Sequence, residues 1–69
     1  MKKGTKFRAI RKSTGKPAFK SMIRPDGLTL TVVDDYDGII TCEEGTRPLE
    51  GRSQSIQIFR KFWNIEEVN

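Results

Sequence analysis

The chain has 69 residues but no histidine, one cysteine, one tryptophan, one tyrosine and three prolines. Each scarcity closes a class of function. Without histidine there is no Ser-His-Asp or Cys-His pairing, no imidazole switch near neutral pH and no His-Cys zinc site. A lone Cys42 cannot form a disulfide within the chain. Unpaired cysteine fits a reducing compartment, so the expected location is cytoplasmic. Long apolar runs are also missing: nothing approaches the roughly 18 residues a membrane-spanning helix needs. The start, Met1-Lys2-Lys3-Gly4-Thr5, is basic, but no apolar stretch of a secretion signal follows it. This length holds one small domain, residues 1–69. Domains near this size bury only roughly 60% of the surface of the unfolded chain.

Acid is locally absent. Residues 1–24 carry nine of the thirteen Lys and Arg and no Asp or Glu. Residues 25–50 carry seven of the nine acids and one base, Arg47. The net charge of +4 therefore conceals a strongly dipolar chain. Such asymmetry marks either a surface for an anion or compensation between two halves that lie together.

What is present is turn chemistry at regular intervals. Ser13-Thr14-Gly15-Lys16-Pro17 reads as a loop. In Pro25-Asp26-Gly27, Pro presets φ and Gly accepts positive φ. Asp37-Gly38 is a strong two-residue hairpin signal. Glu44-Gly45-Thr46-Arg47-Pro48 closes the next segment. Between these signals lie four short blocks with strand alternation: Lys6–Arg11, Ala18–Arg24, Leu28–Val33 and Ile39–Glu43. Turn signals at this spacing suggest a small all-β sandwich or barrel.

Residues 55–65 read differently. At 100° per residue, Ile56, Ile58, Phe59, Phe62, Trp63 and Ile65 share one arc, and Gln57, Arg60, Lys61 and Asn64 another. The helical period predicts a helix near 54–64, with Ser53 or Ser55 as N-cap. Glu66-Glu67-Val68 either continues it or forms a short closing strand. The expected fold is mainly β: a small SH3-like barrel, or a curled antiparallel meander of four to five strands, with one short C-terminal helix. The expected core is Phe7, Phe19, Ile23, Leu28, Leu30, Val32, Ile40, Phe59, Phe62 and Trp63.

Two motifs bracket the chain, Gly4-Thr5-Lys6-Phe7 and Phe59-Arg60-Lys61-Phe62-Trp63. With its Asp-Gly hairpin, the chain resembles small proteins of phages and mobile elements that open on a GxKF strand and close on an aromatic-rich segment. The resemblance implies that small β fold and a phage or mobile-element setting. It implies no reaction and supplies no site residue.

The chemical motifs mostly fail. Against a calcium loop, Asp35, Asp37, Gly38, Ile40 and Glu44 match, but Val33 takes the first ligand position and the flanks read as strands. Thr14-Gly15-Lys16 looks like the end of a phosphate-binding loop, but Ile10 stands where the first Gly belongs and Pro17 removes a needed N–H. Cys42 has no activating base and sits in an apolar block, as a buried, inert thiol would. Asp34, Asp35 and Asp37 crowd one turn, whereas acid-base catalysis wants carboxylates held apart in a cleft. The reading is a non-enzyme with no cofactor and no metal.

A basic N-terminal hairpin remains. Lys6, Arg8, Lys20 and Arg24 are expected on the outward face of the first two strands, with Lys12 and Lys16 extending them into the loop. Such a strip suits the phosphates of a nucleic acid, although it lacks outward aromatics for base stacking. The alternative is a protein–protein module that inhibits or adapts a host protein, host defence factors included. In that reading Asp34, Asp35, Asp37, Glu43 and Glu44 imitate phosphate, or the chain pairs as a homodimer through its aromatic C-terminal block.

Overall fold

The computed structural model describes residues 1–20, 22–44 and 55–68, with the backbone alone for Glu44. The Asp37-Gly38 pair sets the pattern. Both residues have positive φ, 54° and 77°, as a type I′ turn requires, and this turn's twist matches that of paired strands. It joins β2 (Leu30–Tyr36) to β3 (Ile39–Glu44), with Tyr36 opposite Ile39 and Asp35 opposite Ile40. Before them lies β1 (Lys6–Arg11); after them come β4 (Ile56–Phe59) and β5 (Trp63–Glu67). The five strands form one open antiparallel sheet in the order β4-β3-β2-β1-β5. Among the described residues there is no helix, and so none long and apolar enough to cross a membrane.

Alternation sends one face of each strand inward. Phe7 and Ala9 of β1, Leu30 and Val32 of β2, Ile40 and Cys42 of β3 and Ile58 of β4 are buried together. Ala18 and Leu28 join them from the β1–β2 connection, and Met1, Ile56, Trp63 and Ile65 pack around the margin. A register shift between Val32 and Asp34 changes the phase of β2. A bulge of this kind turns the following side chains to the opposite face. Asp35, not Asp34, therefore stands beside Ile40 at the end of the core.

The edge strands β4 and β5 run in the same direction within the sheet, yet only residues 60–62 join them. Four residue steps reach at most about 14 Å, so a flat sheet could not make this connection. The sheet coils instead. The Arg60 N–H donates to the Gly38 carbonyl at 2.9 Å, and the Lys12 N–H donates to the Phe62 carbonyl at 2.9 Å. The turn thus ties the tip of the β2–β3 hairpin to the end of β1.

This arrangement corrects the expected C-terminal helix near 54–64. The described part of that segment is strand, turn and strand, and Trp63–Glu67 is the closing strand β5. Ile56 and Ile58 alternate on β4, and Trp63 and Ile65 alternate on β5. The turn between them resets the phase, and one window across both strands mimics a 3.6-residue period. Ser53, proposed as a cap, lies outside the described residues, as does the turn expected at 45–48.

Among the described residues of the expected strand Ala18–Arg24, none is in a strand. Ala18 donates its N–H to Ala9 at 2.8 Å and accepts from Leu28 at 3.1 Å, which spends its backbone on two different neighbours rather than on a ladder. Phe19 then takes φ 58°, which breaks strand geometry. Gly27 passes so close that a Cβ there would lie 2.6 Å from the Ala18 carbonyl oxygen. Small Ala18 fills this crossing, and the larger neighbours are left outside: Phe19 is 53% and Ile23 84% exposed. Phe59 and Phe62, at 38% and 49% exposure, likewise leave the expected core. Ala9, Ala18, Cys42 and Ile58 take their places.

Candidate anion-binding site

The predicted basic residues are not carried on two paired strands. Lys6 and Arg8 share the outer face of β1, where Lys6 lies opposite Thr31 and Arg8 opposite Glu66. The Arg8 Nε is enclosed without a hydrogen-bond partner. Lys12 and Lys16 lie in the reverse turn after β1, closed by the Arg11 N–H donating to Lys16 at 2.9 Å and the Gly15 N–H donating to Arg11 at 2.7 Å. Lys20 and Arg24 sit in irregular chain rather than on a second strand.

The acidic residues divide in the same way. Asp34 and Asp37 are exposed. Asp35 accepts from Arg60 Nη2 at 2.8 Å and from the Met1 ammonium group. The Arg60 hydrogen bond, then the ammonium, hold its carboxyl below the usual 3.8. Asp35 is thereby committed to an internal ion pair, and the calcium-like stretch around it is a hairpin turn between strands. Glu43 faces Thr31 across the β2–β3 ladder; the side chain of Glu44 lies outside the description. Burial raises the Cys42 thiol to about 11, and its Sγ lies 3.4 Å from the Ile56 carbonyl.

A different cluster is brought together by the fold. The end of β1 and the β4–β5 turn meet around a cleft of about 380 Å³ lined by Arg11, Lys12, Ser13, Lys61 and Phe62. Among the described residues, three cations line it and no acid does. The Lys12–Phe62 backbone bond fixes the two walls together. The Arg11 guanidinium stands 5.4 Å from the Trp63 ring centre, following the pairing of these residues across β1 and β5. Lys61 Nζ stands 5.0 Å from the Phe62 ring centre. Of these residues only Lys12 was singled out from the sequence. The signal for the others was Phe59-Arg60-Lys61-Phe62, a charged pair between aromatics at a turn, which the helical reading spread around one face. No family model, curated protein or solved structure matches the chain.

Proposed function

We propose that the protein is a non-enzymatic binding module, of phage or mobile-element type, that contacts nucleic-acid phosphates. One observation carries this reading: Arg11, Lys12 and Lys61 converge on a cleft that, among the described residues, no acid lines. Cations gathered in this way displace counterions from a phosphate chain, and the gain is entropic and salt-dependent. An SH3-like barrel is the architecture we infer, supported by the β4-β3-β2-β1-β5 order and the short β4–β5 turn. A reducing, cytoplasmic setting suits the single buried thiol.

Titration of a labelled oligonucleotide over a range of salt concentrations tests the function. Arg11→Gln, Lys12→Gln and Lys61→Gln should each reduce the slope of log affinity against log salt by about 0.7 for a single strand or 0.9 for a duplex. A parent protein that retains no oligonucleotide at low salt refutes the reading. A protein partner is the second reading, favoured by Met22 and Ile23, which are 100% and 84% exposed on the β1–β2 connection. A nuclease-resistant stoichiometric complex, abolished by Met22→Ser with Ile23→Ser, would support it over the first.

A further inference from the structure

The cleft holds something a phosphate site alone does not require. Phe62 is half-exposed on its wall, although the turn that carries it is fixed at both ends by backbone hydrogen bonds to Gly38 and Lys12. The backbone position of this aromatic side chain is therefore set, while half of its surface stays in water. The cations around it complete a particular chemistry. Lys61 leans towards the Phe62 ring on one wall, and Arg11 of the other wall lies over Trp63, which packs on the core, so positive charge stands beside the exposed aromatic surface. A nucleotide presents the complement, a flat π-face joined through a sugar to an anionic phosphate. In a duplex the base faces are covered by neighbouring pairs, and only an unpaired base can offer one. The cleft, at about 380 Å³, lies within the roughly 300–1,000 Å³ of sites that enclose small organic groups.

Resting on the phosphate-binding reading above, we infer that the cleft selects single-stranded nucleic acid by stacking one unpaired base on Phe62, with Arg11, Lys12 and Lys61 on the adjoining phosphates. Ser13 supplies a hydroxyl at the cleft margin for the sugar or base edge. Specificity for base identity is not expected, because every base has a π-face.

Three probes of equal length and salt decide it by fluorescence anisotropy: an oligo(dT) strand, the same backbone with abasic sites, and a duplex. The unaltered protein should bind oligo(dT) at least about fivefold more tightly than the abasic strand, the lower bound of one stacked base. Oligo(dT) should also compete better than duplex. Phe62→Ala should lose the same factor on oligo(dT) and nothing on the abasic strand, with Phe62→Tyr restoring it. Equal binding of oligo(dT) and abasic strand, or a preference for duplex, overturns the stacking inference and leaves phosphate binding standing. Retention of none of the three strands overturns both. The abasic comparison uses the unaltered protein, so it decides even if a Phe62 variant fails to fold.

Discussion

Asp35 is an acid placed at the end of an apolar core, and its two cationic partners come from distant parts of the chain. Because its folded carboxyl titrates below 3.8, the unfolded state binds more protons on acidification. The stabilisation from the pair is complete above the ordinary carboxylate value and is lost as pH falls through the lowered one. Asp35→Asn should lower the thermal midpoint at pH 7 and flatten its decline below about pH 4; an unchanged acid limb would show that the pair contributes nothing. Cys42 behaves in the opposite sense. Its thiol stays neutral to about 11, whereas an unfolded thiol ionises near 9.0, so its contribution declines as pH rises between the two. Near neutral pH, modification by a thiol reagent should wait for opening of the β3–β4 region, and denaturant should accelerate it sharply. Fast single-phase labelling of the native protein would place the thiol at the surface.

Turns and strands differ in how plainly they are written. The strands β1 and β3 and the Asp37-Gly38 turn were legible because each carries a complete local signal, and each is short enough for one period to hold throughout. The phase of β2 was not legible past Val33, since a bulge there depends on pairing with β3 rather than on β2 itself. The β4–β5 unit defeated periodicity because its turn is built from Arg60, Lys61 and Phe62, none of which is a usual turn residue. The candidate cleft inherits that difficulty, as Lys61 and Phe62 of its lining belong to that turn. Two glycines separate local from tertiary causes. At Gly38, φ is 77° and a Cβ would touch nothing within 4 Å, so Gly38→Ala should cost only the left-handed penalty of roughly 1–2 kcal/mol. At Gly27, φ is 84° and a Cβ would press on Ala18 and Pro17, so Gly27→Ala should cost distinctly more. Denaturant midpoints of the two variants in the reverse order would place the tight crossing elsewhere.

At the level of the whole molecule, nine buried residues form the core among the described residues, and a core of this size leaves little stability in reserve. Domains hold roughly 0.05–0.15 kcal/mol per residue, whereas a buried Leu→Ala costs about 2–5 kcal/mol. Leu30→Ala should therefore unfold much of the population near 37 °C by circular dichroism. Phe59→Ala, at a position 38% exposed, should leave a cooperative transition in place. The fold brings some of the sequence's opposite charges together. Arg60 reaches Asp35 and Arg8 faces Glu66 across a ladder, while Arg11, Lys12 and Lys61 gather at a cleft that no acid lines among the described residues.

The partner of β1 on its open side is β5, with Phe7 opposite Glu67 and Arg11 opposite Trp63. This ladder joins segments separated by most of the described chain, and it decides when the molecule can come into being. A ribosome extends a chain at about 5–20 residues per second, so β1 waits, basic and half-paired, until the segment 63–67 has cleared the exit tunnel. Pairings between such distant segments also form slowly, in milliseconds to seconds for sheets of this kind. During that interval the acid-free first 24 residues are a loose cation, and the cleft between Arg11 and Lys61 does not yet exist. Formation of the cleft therefore waits on the pairing of β5 with β1.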